Sequence, residues 1–234
     1  MFRLCVLGVV GTCLAAALPA AAQETRSFDF GPFNRIEVSG VARIDLSQGD
    51  RESVTITGDR ADLRGAQLEV VGGELRVNSG DSWKFWNRDP LQVAVQVREL
   101  KRIGISGASE VRAARTLKAD QLSVSISGEG MVRLEDLRAD TLRFDISGAG
   151  DGDIGGQVGD LRLSISGKGK LLAERLRAAR ASLSISGIGN ADVWATDTLR
   201  VSVSGIGTVN YWGQPQVTRS SAGMATINAR GDKK

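Results

Sequence analysis

Hydrophobic and polar positions alternate along most of the chain. Between residues 122 and 127, Leu122, Val124 and Ile126 interleave with Ser123, Ser125 and Ser127. Leu161, Leu163 and Ile165 do the same against Arg162, Ser164 and Ser166, as do Leu199, Val201 and Val203 against Arg200, Ser202 and Ser204. Period-two alternation rich in β-branched residues predicts half-buried strands. A Ser-Gly-x-Gly turn follows each strand; glycine there permits positive φ, and the serine hydroxyl can bond the local backbone. A second apolar stretch comes next, Val132 and Leu134 then Leu137, or Leu171 and Ala173 then Leu176. Each unit is therefore expected to hold two or three short strands.

The unit recurs. The serine before the first glycine stands at 106, 127, 147, 166, 186 and 204, in steps of 21, 20, 19, 20 and 18. A sustained period near twenty residues marks a repeat array. Stacked in register, Ile126, Ile146, Ile165, Ile185 and Val203 form one interior column, and Leu122, Leu142, Leu161, Ala181 and Leu199 a second. Val124, Phe144, Leu163, Leu183 and Val201 lie between them. Each buried aliphatic side chain contributes about 1.5–3 kcal/mol, most of it offset by ordering the rung, so stability requires the stack. A leucine-rich repeat would need a different spacing and an Asn ladder, which the pattern lacks, and a propeller blade would need about forty residues. The expected fold is all-β, a right-handed single-stranded parallel β-helix with rungs of about twenty residues.

Residues 1–22 read as a secretory signal: Arg3, an apolar run from Leu4 to Leu18, and an Ala20-Ala21-Ala22 cleavage site. Thr12 before Cys13 makes a poor lipobox. Residues 23–234 are expected to form one domain, with irregular rungs over 28–100, regular repeats over 101–210 and a terminal cap over 211–228 that protects an open edge. Both cysteines, Cys5 and Cys13, fall in the leader and the chain has no His. The mature chain therefore offers no disulfide, no thiol nucleophile and none of the commonest transition-metal ligands. Without Arg3 it carries 29 basic against 27 acidic residues, which gives no reason to expect nucleic acid. No second run of about eighteen apolar residues exists, so no transmembrane segment is expected in the mature chain. It should reside in the periplasm, at the outer membrane or outside the cell.

Candidate chemistry is sparse. Trp83, Phe85 and Trp86 crowd a polar loop, where they would either cover an end of the solenoid or present an aromatic platform to a sugar or partner. Arg143, Arg162 and Arg200 share one outward column and Lys118, Arg138 and Arg177 another. Stacked like charges cost energy unless acids or anions lie near, so the first column is a candidate stripe for an anionic glycan or lipopolysaccharide. Asp151 and Asp153, in a glycine-rich turn, are weak metal candidates because a Ca²⁺ β-roll needs its motif stacked. A Ca²⁺-dependent lyase would need a carboxylate ladder, but the column holding Asp145 continues as serine. No catalytic residue and no cofactor are expected. The alternatives to a glycan- or protein-binding module are a polysaccharide-lyase-type enzyme and a self-assembling scaffold.

The repeated Ile-Ser-Gly-x-Gly, the Leu-Arg-Ala segments at 137–139 and 176–178, and the closing Val209-Asn-Tyr-Trp-Gly213 resemble the bacterial "putative auto-transporter adhesin, head GIN domain" family over roughly residues 28 to 220. That resemblance implies an exported cell-envelope β-helix without enzymatic activity, adhesive by its family name. The chain departs from an auto-transporter in that no membrane barrel follows the solenoid.

Overall fold

The computed structural model describes residues 24–80 and 90–233. The expected leader and the Trp83–Phe85–Trp86 cluster lie outside the described residues. The strands in chain order are β1 (Glu24–Phe28), β2 (Arg35–Ser39), β3 (Ala42–Gln48) and β4 (Ser53–Gly58), then a short helix α1 (Arg60–Gly65). They continue as β5 (Gln67–Val71), β6 (Glu74–Asn78), β7 (Leu91–Val97), β8 (Arg102–Ile105), β9 (Ala108–Ala113) and β10 (Leu117–Ile126). The regular part is β11 (Glu129–Ile146), β12 (Ala149–Ile165), β13 (Lys168–Ile185), β14 (Ile188–Val203), β15 (Ile206–Trp212), β16 (Gln216–Ser221) and β17 (Met224–Ala229).

The strands stack as a parallel β-solenoid. Ile126, Ile146, Ile165, Ile185 and Val203 are register partners from rung to rung and are at most 1% exposed. The column runs on upstream through Ile105 and Val38 to Val77. Inside-outside alternation breaks three times per rung, between Leu134 and Leu137, between Ala139 and Leu142, and between Ile146 and Gly150. Those breaks are corners, so a rung has three faces: the first begins at Leu122 or its equivalents, the second at Glu129, the third at Leu137. Register is unbroken on the first two faces. The shifts fall between residues 134 and 137, 153 and 155, 173 and 177, and 178 and 180, at or on the third face. The shortening of the repeat is absorbed there, at one point by Gly156 with φ 119°.

The corner glycines do not serve the purpose their turn-like motif suggests. Among those of the Ser-Gly column, only Gly40 has a left-handed φ (85°). A Cβ on Gly128, Gly148, Gly167, Gly187 or Gly205 would instead lie 1.9–2.4 Å from the carbonyl oxygen of the corner glycine one rung back. The motif is glycine because two backbones touch. The serine hydroxyls likewise reach the previous rung rather than their own turn: Ser127 and Ser186 donate, at 3.4 and 3.5 Å, to the carbonyls of Ile105 and Ile165. Inside the stack, Phe144 projects into the room left by Gly152, where a Cβ would meet its ring at 2.7 Å.

Both ends differ from the expected pattern. Residues 28–100 do not form successive rungs. β6 and β7 pair parallel to β2 and β3 on the side away from β8 and β9, so a later segment lies outside an earlier one. The antiparallel strands β5, β4 and β1 then close that end. The β5–β6 hairpin turns on Gly72 and Gly73, with φ of 57° and 78°, as a two-residue primed turn requires. At the other end the expected cap is a further rung, in which β16 and β17 pair parallel to β14 and β15. Arg219 occupies the register position of the buried Val201 and donates to the Tyr211 hydroxyl at 3.4 Å. A charge at a core position opposes further stacking.

Two stability outcomes are expected from this packing. Gly167→Ala should cost about 3 kcal/mol by forced overpacking, whereas Gly31→Ala, which meets nothing within 4 Å, should stay within roughly 0.5 kcal/mol of the parent; urea midpoints compare them. Gly152→Ala should destabilise, and adding Phe144→Leu should recover part of the loss, read as a coupling of about 1 kcal/mol in a double-mutant cycle.

Candidate functional site

Outward positions of the first face carry the arginines singled out by their spacing. Arg143 and Arg162 are direct register neighbours, and Ser182 stands between Arg162 and Arg200. The column extends further than the repeat motif revealed: Ser123 connects Arg143 to Arg102, which pairs with Arg35 on the next rung. Rungs lie roughly 4.8 Å apart, so Arg143 and Arg162 repel unless an anion intervenes. Arg143 is partnered by Asp145 at 2.6 Å. Arg162 and Arg200 are exposed and make no ion pair with any described residue. Beside Arg143 and Arg162 runs a groove of about 450 Å³ that is lined also by Lys101, Gln121, Ser123 and Thr141 and by the acids Glu99 and Asp120.

The third face carries the second basic column, in register as Lys118, Arg138, Gln157 and Arg177. Glu99, Asp120 and Asp140 line the same open groove of about 740 Å³, and Arg138 pairs with Asp136 at 3.4 Å. This face is of mixed charge. The column continues as Trp194 and Trp212, which the hydrophobic pattern did not single out although they lie one 18-residue step apart. The Lys233 ammonium sits 4.8 Å from the Trp212 ring centre and donates to the Glu174 carbonyl.

Asp151 and Asp153 occupy separate outward columns of the second face. Asp153 accepts from Arg175 at 2.8 Å and lies 3.8 Å from Arg133, while Arg175 also reaches Glu135 at 3.0 Å. These arginines already neutralise Asp153, and Asp151 stands between Met131 and Lys170. Among the described residues no group of three or more His, Cys, Asp or Glu side chains is placed to hold a metal. The Asp145 column continues as Ser125, Gly104 and Glu37 on one side and as Ser164, Ser184 and Ser202 on the other, so its two carboxylates are three rungs apart. One ladder was missed: Asn210 donates to Asp192 at 2.6 Å and Asn228 to Asn210 at 3.0 Å, so an amide ladder does exist over the last rungs. Its signal was the 18-residue spacing of the two asparagines.

These features define a β-solenoid with charged outward columns on a hydrophobic prism. The chain belongs to the family described as "putative auto-transporter adhesin, head GIN domain", whose model matches residues 32–215. A putative adhesin from Bacteroides fragilis is 26% identical with a TM-score of 0.85, the match covering 90% of this chain and 98% of that one. A putative adhesin from Parabacteroides distasonis matches at 23% identity and TM-score 0.72, over 89% and 97% of the two chains. A putative lipid binding protein from the same species shares the fold at 21% identity and TM-score 0.67, over 88% and 96%. No curated protein matches. No helix among the described residues is long and apolar enough to cross a membrane.

The inter-rung pair Asp160–Arg180 provides a pH test. Two hydrogen bonds from Arg180, at 2.7 and 2.6 Å, hold the Asp160 carboxyl below its ordinary range against the opposing effect of burial. A carboxylate with a depressed folded pKa stabilises at neutral pH, and the contribution is lost as pH falls through that pKa. Asp160→Asn should therefore lower the urea midpoint at neutral pH and narrow its gap to the parent below about pH 4.

Proposed function

We propose that this chain is an exported, non-enzymatic binding module of the cell envelope, adhesin-like in role, and that its first face holds an anionic envelope glycan. The observation that carries this reading is the exposed column of Arg143, Arg162 and Arg200, in which the last two lack ion-pair partners among the described residues. Some arginines elsewhere lie against acids, as Arg43 does beside Glu110, Arg133 beside Asp153 and Arg180 beside Asp160, while Arg102 of the same column and Arg177 of the third face resemble Arg162 and Arg200 in making no ion pair with a described residue. A stripe in which Arg162 and Arg200 make no ion pair, with serine and threonine hydroxyls at its edge, suits repeated carboxylate, sulfate or phosphate groups along a polymer. Family membership supports an adhesive role, and the apolar leader with its Ala-x-Ala site supports export. The absence of His and mature-chain Cys, with Asp153 engaged by arginines, supports a non-catalytic module.

The test is retention on an immobilised anionic polysaccharide and on envelope glycan arrays. Replacing Arg143, Arg162 and Arg200 together by serine should weaken retention about tenfold, with the loss shrinking at high salt. Undiminished binding by that variant would overturn the assignment of the face. Chain cleavage of uronate polymers, with or without Ca²⁺, would overturn the non-enzymatic reading.

A further inference from the structure

The residue after each corner glycine points outward, and from Gly128 to Gly207 a second glycine follows it. A Cβ on the glycine before it would strike the previous rung's backbone, and one on the glycine after it would strike core isoleucines, as at Gly150, where Ile126 lies 2.8 Å away. This x position therefore forms a projecting edge of the prism. From the N-terminal side it reads Ala108, Glu129, Ala149, Lys168, Ile188, Ile206 and Met224, each a register neighbour of the next. The edge changes character along its length: charged at Glu129 and Lys168, apolar over the last three rungs. Ile188, Ile206 and Met224 are 54%, 47% and 68% exposed. The only other large apolar side chain so exposed among the described residues is Val71, in the β5–β6 hairpin at the opposite end.

We infer that this edge is a lipid-docking site, by which Ile188, Ile206 and Met224 enter the headgroup–acyl boundary of an anionic leaflet. Ser186 and Ser204 on one side and Asn190 and Thr208 on the other are uncharged, so entry buries no ion. Lys168 and Lys170 stand one rung back, exposed and without ion-pair partners among the described residues, placed to meet lipid phosphates. Shallow apolar insertion combined with nearby cations is the usual basis of interfacial attachment. A second protein copy fits less well, because three side chains are far short of the roughly 20–30 residues a side of a stable interface.

The inference is independent of the glycan reading, and its test separates the two. The exported chain, from Gln23 onward, is sedimented with phosphatidylcholine vesicles and with equimolar phosphatidylcholine–phosphatidylglycerol vesicles. Preferential binding to the anionic vesicles is expected. Combined Ile188→Ser, Ile206→Ser and Met224→Gln should cut it at least tenfold, and Lys168→Gln with Lys170→Gln should reduce both binding and its salt dependence. The Arg143, Arg162 and Arg200 serine variant should stay within twofold of the parent. As a check that does not depend on the triple variant folding, a polarity-sensitive fluorophore on Met224→Cys, the sole thiol of that chain, should shift to the blue on adding anionic vesicles. No vesicle binding by the parent, equal binding by the triple variant, or an unshifted label would overturn the inference. So would a parent dimer that the triple variant dissolves in light scattering, since the edge would then be an interface between copies.

Discussion

At each Ser-Gly corner the backbone of one rung lies against the backbone of the next, with no room between them for a methyl group. The amides continue across the contact: Ser147 and Ser166 donate to the carbonyls of Ile126 and Ile146 at 2.9 Å. This approach fixes the axial spacing and with it the register of the first two faces. Equivalent isoleucines then meet along the axis, and the corner's middle side chain must project outward. A rung that gains or loses residues cannot do so at this corner without losing those contacts. The changes in repeat length accordingly appear on the third face, where Gly155 and Gly156 take up one of them.

The stacking columns were legible in the sequence because period-two alternation and a twenty-residue step jointly determine which side chains point inward and which rungs they meet. Ile126, Ile146 and Ile165 needed only those two facts. The reason for the glycines was not legible: positive φ and backbone contact select the same residue, and only the inter-rung distances separate them. The ends were hidden for a different cause. β6 and β7 alternate like any rung strands, and nothing local in their residues states that they pair on the outer side of β2 and β3. The segment expected as a cap is a rung whose β16 has Arg219 and Ser221 at inward register positions, which is how a terminal rung differs from an internal one. For the candidate site, spacing grouped Arg143, Arg162 and Arg200 in one column, and the same four-residue offset before Ser106-Gly107 and Ser39-Gly40 marks Arg102 and Arg35, which the irregular run-up to those copies hid.

The charged surface separates into two kinds. On the second face, opposite charges from different rungs meet, as Arg175 meets both Asp153 and Glu135. Such contacts link layers and leave little field for a ligand. On the first face Glu37 lies over Gly104 of the adjacent rung, where burial raises its carboxyl pKa and Arg102 only partly offsets the effect. The first face beyond Ser123 lacks that compensation at Arg162 and Arg200. A solenoid spaces such side chains at a fixed interval without any loop to hold them, so a polymer with a regular charge spacing would meet a rigid counterpart rather than an adaptable pocket.

The return of β6 and β7 to the outer side of β2 and β3 imposes an order on assembly. From β10 onward each rung can be laid on its predecessor as soon as about twenty more residues arrive, a short-range process. The opposite end cannot be finished that way, because its outermost layer consists of residues 74–97 while the layer beneath consists of residues 35–48. Until the later segment has arrived, the earlier one has an uncovered flank, and a chain emerging amino end first would expose that flank throughout the interval. Transient protection of residues 35–48 until residues 74–97 arrive is thus a requirement that this topology creates and that an uninterrupted stack of repeats would not have.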